Sequence, residues 1–230
     1  MNGGSSASVR RTARVDLSAF SRNLARVLSD DPHCVLDARA DAYGHGLERI
    51  VRAALDVGVT TIRVSPNQAN LAGIKRSSLM TVPSVRRLLG PEAYGVDARS
   101  EAVMTLSGEV IAVKPTEAGV GVSYGYTYRT TAPTTLALVA LGYADGVPRL
   151  ASNRAAVTVG AQQYPLVGRV AMDQFVVDLG TATAVVGDAA VLFGDAAAGH
   201  PTAVQWGEWT ERTALELTAG IGSRVHRVYE

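Results

Sequence analysis

Tyr124 and Tyr143 lie in glycine-containing motifs and carry phenol groups that could take part in proton transfer. Tyr124 belongs to GVSYG (121–125), and Tyr143 belongs to LGYADG (141–146). A tyrosine ionises with an unperturbed pKa of about 10, so it acts as a base near neutral pH only where its surroundings lower that pKa. The alternative for Tyr124 is that it packs at the end of a strand. Asp145 and Gly146 are residue types that shape a turn.

Arg39 lies in a second polar segment, ARADAYGHG (38–46), which follows the apolar run CVL (34–36). A guanidinium keeps its proton in proteins, with a pKa above ~12, so Arg39 can serve neither as a base nor as the amine of a Schiff base. It can still attract a phosphate as a fixed charge. Cys34 is the only cysteine, which excludes an internal disulfide, and its apolar neighbours favour a buried thiol over a nucleophile.

The balance of charge excludes several classes of partner. The chain has 22 basic and 21 acidic residues, so no long-range field points to nucleic acid or to an anionic membrane. Apolar runs such as 136–141 are too short to span a bilayer, and the first residues lack the apolar segment of a signal peptide. We therefore expect a cytoplasmic protein without nucleic-acid or membrane partners, and the sequence assigns no metal ligands.

The hydrophobic pattern predicts two domains, 13–100 and 101–230, after a disordered start at residues 1–12. Residues 13–100 alternate short strands with amphipathic helices, of which the first is capped by Ser18 and the third runs from Gln68 to Lys75. This alternation is typical of parallel βα units. Residues 101–230 predict a compact antiparallel β domain. Its strands include 136–141, 156–159, 175–179 and 189–193, and a helix follows at 206–217.

Three motifs of the second domain, together and in this order, resemble the C-terminal domain of alanine racemases: GVSYG (121–125), LGYADG (141–146) and VGRVAMDQ (167–174). Residues 13–76 resemble the opening of the family's (β/α)8 barrel, and GPEAYG (90–95) resembles its end. The resemblance implies an α/β plus all-β fold, in which a remnant of a parallel (β/α)8 barrel, about three βα units, precedes an antiparallel β domain. The middle of the barrel would be missing, so the remnant cannot close and has unpaired edges.

The resemblance also implies a reaction and the residues that carry it. Alanine racemases interconvert L- and D-alanine with pyridoxal phosphate, which delocalises the carbanion formed when the α-proton leaves. In this chain Tyr124 would be the proton donor and acceptor, acting in the site of the partner subunit. Tyr143 and Met172 would contact the substrate, and Tyr43 and Gly90 would hold the cofactor phosphate.

The chain departs from the family at the positions that hold the cofactor. Arg39 occupies the position of the lysine that forms the Schiff base. Leu88 stands at the position of the arginine that faces the pyridine nitrogen, and Leu215 at that of a second phosphate-binding tyrosine. Pro91 has no N–H to donate where the family offers one. The resemblance therefore implies that racemase activity is lost or severely impaired, and that any bound pyridoxal phosphate is not held through the usual lysine.

Three functions stay open from the sequence. The first is a degenerate racemase homologue, a pseudoenzyme without turnover of its own. The second is a non-catalytic accessory subunit that completes the shared site of a full-length racemase, so that the protein forms a homodimer or a heterodimer with that racemase. The third is an amino-acid racemase that uses Lys75 or Lys114, the only lysines of the chain, although the family supplies its Schiff base from neither position.

Overall fold

The computed structural model describes residues 9–68, 70, 78–80, 86–97 and 99–230. The strands in this part of the chain are β1 Arg11–Val15, β2 Val35–Asp37, β3 Ile62–Arg63, β4 Leu79–Met80, β5 Leu88–Leu89, β6 Met104–Thr116, β7 Gly121–Val122, β8 Tyr128–Arg129, β9 Thr134–Val139, β10 Ala156–Val159, β11 Gln162–Val167, β12 Phe175–Asp178, β13 Ala189–Phe193 and β14 His226–Tyr229. The helical segments are α1 Leu17–Asp30, α2 Arg39–Tyr43, α3 Leu47–Val57, α4 Ala203–Thr210 and α5 Ala214–Ala219.

Strands β2 to β5 form a parallel sheet in the order β4-β3-β2-β5. Helix α1 buries Phe20, Leu24 and Val27 on one face, as their spacing predicts. Its N-cap is Asp16, whose carboxylate accepts from the backbone N of Ala19 at 2.8 Å, so the prediction of a cap at Ser18 was wrong. The helix predicted from residue 68 to residue 75 lies mostly outside the described residues.

An antiparallel barrel closes from six strands in the cyclic order β6-β9-β12-β11-β10-β13, because β13 pairs back with β6. Four of these strands lie at or within a residue or two of the predicted positions. They are short β-rich runs between turn residues, which is the sequence signal of such strands. The barrel is larger than the four-stranded parallel sheet and the two-stranded sheet of β7 and β8.

Strand β1 joins the barrel rather than the parallel sheet. It pairs antiparallel with β6 and parallel with β14, so the first and last strands of the described chain are neighbours in this sheet. Arg11 and Thr12, which the sequence placed in a disordered start, are the first residues of β1. The first described strand therefore pairs with strands of the second predicted domain, residues 101–230. The chain enters the first predicted domain only after this strand.

Helices α4 and α5 replace the single helix predicted for 206–217. Thr202 caps α4 and exchanges hydrogen bonds with Gln205, and Thr213 caps α5 through the backbone N of Glu216. Between them Glu211 has a left-handed backbone with φ 56°, which ends the first helix. The prediction of one continuous helix was wrong because no glycine or proline marks the break.

One hydrophobic core extends through the barrel and the parallel sheet. Phe20 and Tyr94 beside the parallel sheet, and Phe175 and Trp206 beside the barrel, are among its largest fully buried side chains. We therefore expect the two regions to unfold together, as a single cooperative unit does. No helix in the described ranges has both the length and the apolar character needed to cross a bilayer.

Candidate functional site

The segment after β2 forms a left-handed turn that orients the side chains of Arg39 and Tyr43. Residues 40–43 all have φ between 51° and 57°, a conformation that costs an L-residue about 1–2 kcal/mol. Gly44 continues the turn with φ 81°, and a Cβ there would lie 2.1 Å from the carbonyl oxygen of Thr218. Glycine is required at this contact with α5. Strained backbone of this kind persists only where the surrounding structure holds it.

Asp37, the last residue of β2, accepts hydrogen bonds from that turn. Arg39 Nε lies 2.8 Å from Oδ1 of Asp37, and Arg39 Nη2 lies 2.5 Å from Oδ2. The hydroxyl of Tyr43 donates to the same Oδ2 at 2.9 Å. Side-chain exposure is 5% for Asp37 and 42% for Arg39. Sequence analysis missed Asp37, although it brings the two predicted residues Arg39 and Tyr43 together.

These contacts fix the protonation states of the three side chains. Burial raises the pKa of Asp37, but hydrogen bonds from Arg39 and Tyr43 outweigh it and hold that pKa below its ordinary value. The hydrogen bond to Asp37 keeps the pKa of Arg39 above its usual range. Burial, together with the hydrogen bond to Asp37, raises the pKa of Tyr43. The positive charge of Arg39, considered from the sequence as a fixed charge for phosphate, is therefore matched by an internal carboxylate.

The buried rings of His45 and Tyr94 hydrogen-bond to the backbone of the turn and of the strand before it. His45 is fully buried, and its Nδ1 donates to the carbonyl oxygen of Ala42 at 3.0 Å. Burial lowers the pKa of His45 to about 4, so the imidazole is neutral at pH 7. The hydroxyl of Tyr94 donates to the backbone oxygen of Asp37 at 2.8 Å, and its ring lies 4.8 Å from that of His45. Both residues belong to the scaffold of the turn.

Gly90 and Leu215, the other predicted cofactor positions, lie beside each other. A Cβ on Gly90 would be 3.5 Å from Cδ1 of Leu215. Leu215 lies on α5, which packs against the turn that carries Tyr43. At these positions the chain offers a leucine side chain and, in the next residue, Pro91, which has no N–H. The positions predicted to hold the cofactor phosphate therefore lie near one another. The residues at these positions offer few hydrogen-bond donors.

Tyr143 and Met172, the predicted substrate contacts, lie in two hydrogen-bonded loops of the barrel. The backbone N of Tyr143 donates to Ala171 O, and that of Ala144 donates to Met172 O, both at 3.0 Å. Gly142 permits this approach, since a Cβ there would lie 2.2 Å from the carbonyl oxygen of Met172. The structure brings these two residues together, with 42% of Tyr143 and 52% of Met172 exposed.

Tyr124 lies in the neighbouring loop and is 72% exposed. The hydroxyl of Ser123 donates to the backbone oxygen of Arg169 at 2.6 Å, which ties the first motif to the third. Ser123 itself has φ 59°. Tyr124 borders a cavity of about 300 Å³ that Ala171 and Gln174 also line. Most of the Tyr124 side chain faces solvent, so it is not packed in the core, and its role stays a prediction.

Two arginines lie against aromatic rings of these loops, and a third lies beside Gly125, between Tyr124 and Tyr126. Arg129 lies 5.7 Å from the ring of Tyr126, and Arg149 lies 5.8 Å from the ring of Tyr143. Arg169 Nη1 lies 3.3 Å from where a Cβ on Gly125 would be. In the described part of the chain none of the three forms a salt bridge with a carboxylate. We call this set the tyrosine surface: Tyr124, Tyr126, Tyr143, Met172, Arg129, Arg149 and Arg169.

Asp145 anchors the loop of Tyr143 from inside the protein. Its side chain is buried, and its Oδ2 accepts from the backbone N of Gly142 at 2.9 Å. Arg224 Nε lies 3.0 Å from Oδ1, and Arg11 Nε lies 3.4 Å from Oδ2. The turn-forming role expected for Asp145 is thus accompanied by a buried ion pair that joins the loop to β1 and to the segment before β14.

The predicted residues form two separate groups. In the ranges that the structure describes, no hydrogen bond or ion pair joins the tyrosine surface to Arg39, Tyr43 or Gly90. Lys114 is exposed on β6, opposite Leu136 of β9, and Lys75 lies outside the described residues. Among the described residues, no group of three or more His, Cys, Asp or Glu side chains is placed to hold a metal ion.

The barrel and its three motif loops define a known class of protein domain. Residues 103–229 match the family model described as "Alanine racemase, C-terminal domain". The chain belongs to the alanine racemase family. Alanine racemase of Thermobifida fusca is 50% identical over 126 residues, which are 55% of this chain and 34% of that protein. Alanine racemase of Salinispora arenicola is 37% identical over 215 residues, covering 89% of this chain and 55% of that protein.

Solved alanine racemases share the fold. The enzyme from Streptomyces lavendulae superposes with a TM-score of 0.89 at 25% identity, covering 97% of this chain and 98% of that chain. The enzyme from Bartonella henselae, solved with covalently bound pyridoxal phosphate, has a TM-score of 0.80 at 18% identity and covers 96% and 99% of the two chains. This second likeness concerns the fold alone. By sequence, the chain spans about a third to a half of the length of the curated relatives that it matches.

Proposed function

We propose that this member of the alanine racemase family does not racemise alanine by itself. The observation that carries the proposal is the pairing of Arg39 with Asp37 at the position where the family forms its Schiff base. A guanidinium that stays protonated has no lone pair with which to attack an aldehyde. The racemase reaction of the family would therefore be lost or severely impaired in this chain.

The residues near Arg39 do not fit pyridoxal phosphate. Tyr43, which would hold the phosphate, donates its only hydroxyl proton to Asp37. Leu215 presents hydrocarbon beside Gly90, and Pro91 adds no donor. A dianionic phosphate placed here would also lie close to the buried carboxylate of Asp37, and like charges repel. We infer no catalytic step through the cofactor.

The parallel sheet is proposed as a remnant of the family's (β/α)8 barrel. The order β4-β3-β2-β5 with parallel pairs supports this origin, because adjacent strands of such a barrel are parallel. The division at residue 100, with a disordered start at 1–12, stays part of the proposal. So do a cytoplasmic location and the absence of nucleic-acid and membrane partners, which the near-neutral charge supports.

A direct assay tests the proposal. The purified chain is incubated with L-alanine and pyridoxal phosphate, and D-alanine is measured by chiral chromatography. The expected result is a rate equal to that of pyridoxal phosphate with a denatured sample. Lys114→Ala serves as a matched variant, because the Lys114 side chain is exposed and forms no hydrogen bond or salt bridge with the described residues. Turnover that saturates with alanine and requires folded protein would contradict the proposal.

A second candidate function is that of an accessory subunit to a full-length racemase. The tyrosine surface supports it, since Tyr124, Tyr143 and Met172 are all substantially exposed and are presented by loops that hydrogen-bond to each other. Tyrosine and arginine are enriched in binding hot spots. In this proposal the exposed face of the barrel docks on the racemase, forming a heterodimer, and Tyr124 completes the racemase's site.

Complementation distinguishes the two candidates. The racemase of the same organism is made inactive by replacing its own motif tyrosine with phenylalanine, and this chain is then added. Restored racemisation supports the accessory role, and Tyr124→Phe should abolish it. Tyr126→Phe is the matched control, because Tyr126 is 63% exposed in the same loop. Failure to co-purify, together with no restored rate, would rule out the accessory role and leave the first proposal unaffected.

A further inference from the structure

A cavity of about 870 Å³ lies between the start of α1 and the loop that follows β13. Residues 94–97 and 100–105, the start of α4 and Glu230 also line it. None of the lining residues belongs to the tyrosine surface, and none is Arg39, Tyr43 or Gly90. Sites for small molecules are typically cavities of about 300–1,000 Å³ in which a few polar groups converge. This cavity therefore has the size of a ligand site, and it is separate from the two groups of predicted residues.

The buried part of the cavity wall contains an acceptor that has no donor. His45 lines the cavity and is fully buried. Its Nδ1 lies 3.0 Å from the carbonyl oxygen of Ala42 and 3.1 Å from that of Tyr43, so the ring proton is on Nδ1 and Nε2 carries a lone pair. Nε2 has no hydrogen-bond partner among the described residues. Because an unpaired buried acceptor is unfavourable, a ligand that donates a proton to Nε2 gains affinity.

Two further polar groups of the wall have no partner in the part of the chain that the structure describes. One is Nδ1 of His200, which is buried, and the other is the hydroxyl of Thr105. Both atoms lie 2.8 Å from the position that a Cβ on Gly194 would take, so they border the same point of the wall. Glycine at this position leaves room for both side chains beside the cavity.

The charged side chains of the wall make the cavity negative. It is lined by one arginine and five carboxylates: Arg14, Asp16, Asp97, Glu101, Asp195 and Glu230. Glu230 is paired with Arg14, and Glu101 is paired with Arg22 outside the wall. The three aspartates form no salt bridge with the described residues, and Asp16 and Asp195 only cap backbone N–H groups through their Oδ1 atoms. Three carboxylates without a paired cation favour a cationic ligand over an anionic one.

The wall beside these carboxylates is largely apolar. Val96, Met104 and Val204 are among the aliphatic side chains that line it, and hydrocarbon of a ligand gains free energy by leaving water to pack against them. A metal ion lacks ligands here, since no group of three or more metal-binding side chains is found among the described residues. The cavity therefore calls for an organic cation that combines hydrogen-bond donors with a hydrocarbon chain.

We propose that this cavity binds an aliphatic di- or polyamine, in which one ammonium group donates to Nε2 of His45 and the others lie near the aspartates of the wall. Ammonium groups supply both the positive charge and the donors, and the methylene groups between them contact the aliphatic side chains. The inference goes beyond the proposed function, because the cavity contains none of the residues on which that function depends.

Calorimetric titration of the full chain at constant ionic strength tests the ligand class. The probes are spermidine, putrescine and 1,4-butanediol, which has the four-carbon chain of putrescine without its charges. We expect saturable binding of spermidine at one site, and tighter binding of spermidine than of putrescine because it has a third ammonium group. 1,4-Butanediol should bind at least about tenfold more weakly than putrescine, since it forms no charge-assisted hydrogen bonds.

A pair of matched variants tests the charge of the wall. Asp195→Asn keeps an acceptor for the backbone N of Ala197 and removes one negative charge, so spermidine should bind about fivefold more weakly. Asp188→Asn is the control, because Asp188 likewise accepts from a backbone N–H, that of Val185 at 2.9 Å, but does not line the cavity. It should leave the affinity for spermidine unchanged.

A second pair of variants tests the acceptor. His45→Asn keeps a donor for the carbonyl oxygen of Ala42 but lacks Nε2, and it should weaken spermidine binding about tenfold. His45→Gln has a longer side chain whose amide oxygen can accept where Nε2 does, so it should retain part of the affinity. A purely structural role of His45 would not distinguish these two variants in binding.

Three results would overturn the inference. The first is equal affinity for putrescine and 1,4-butanediol, which would remove the role of charge. The second is an equal effect of Asp195→Asn and Asp188→Asn, which would show unspecific attraction to surface carboxylates. The third is unchanged spermidine affinity in folded His45→Asn; if circular dichroism shows that this variant does not fold, Asp195→Asn decides. Racemisation of alanine by the wild type would contradict the proposed function and would leave these comparisons of affinity unaltered.

Discussion

The tyrosine surface of the barrel and the turn after β2 hold their side chains by different means. Tyr143 and Met172 are placed by hydrogen bonds between backbone atoms of their two loops. Arg39 and Tyr43 are placed by their own side chains, through the carboxylate of Asp37. Backbone hydrogen bonds do not depend on a ligand, so the first arrangement can persist when no cofactor is held. The second arrangement depends on one internal carboxylate, which both side chains contact.

The two regions nevertheless share one hydrophobic core, and Phe175→Ala should have the largest effect on stability. Phe175 is 1% exposed on β12, and truncating a buried phenylalanine typically costs about 3–5 kcal/mol. Urea unfolding should show a lower midpoint by circular dichroism. If the shared core makes the regions cooperative, the thiol of buried Cys34 should become reactive in the same transition. A protected Cys34 after the barrel has unfolded would show two independent units.

His45 makes the turn region sensitive to acid. Its imidazole titrates near pH 6.5 in an unfolded chain, whereas burial lowers its pKa to about 4 in the fold. The unfolded state therefore binds more protons between these values. The contribution of neutral His45 to the free energy of unfolding is fully present above pH 6.5. It is lost as the pH falls through about 4, and its full size is on the order of 3 kcal/mol. His45→Asn, whose amide can donate as Nδ1 does, should flatten this pH dependence of the unfolding free energy.

Asp145→Asn tests the buried charge beneath Tyr143. The substitution keeps an acceptor for Gly142 but leaves Arg11 and Arg224 without their common carboxylate. Because both arginines keep some contact with solvent, we expect a loss of about 2 kcal/mol rather than the full cost of an unpaired buried charge. The midpoint of thermal unfolding, compared between the variant and the wild type, measures this loss of stability. An unchanged midpoint would show that backbone hydrogen bonds alone hold the Tyr143 loop.

Glu48→Gln should have the smallest effect. Glu48 and Arg52 form an exposed pair one turn apart on α3, with 63% and 52% of their side chains accessible. Such pairs contribute about 0.2–0.5 kcal/mol. Urea unfolding at low and high salt should show almost no difference between the variant and the wild type. A loss above about 1 kcal/mol would mean that exposed charges of the parallel-sheet region contribute more than their geometry indicates.

The sequence predicted most of the barrel because its signals are local. The strands at 156–159 and 189–193 were predicted with the bounds that the structure has, since turn residues flank short β-rich runs. The motifs also placed Tyr143 and Met172 among the predicted site residues, and the structure brings the two together. The strand predictions depend on patterns that a few neighbouring residues carry, whereas substrate contact by Tyr143 and Met172 stays a prediction.

Other features depend on contacts that no local pattern contains. The pairing of β1 with both β6 and β14 joins segments that are far apart in sequence. Asp37 and Arg39 are two residues apart, but only the left-handed turn that follows brings the Tyr43 hydroxyl to the same carboxylate. The break between α4 and α5 falls at Glu211, a residue type that seldom adopts a left-handed backbone.

The most direct test of the central claim is reduction of the purified chain with borohydride in the presence of pyridoxal phosphate, followed by peptide mapping. The account predicts no stoichiometric adduct on any residue, because Arg39 cannot form an aldimine and is paired with Asp37. One defined adduct on Lys75 or Lys114, formed in proportion to alanine racemisation, would contradict it. That result would show that the Schiff base has moved to another position in this chain.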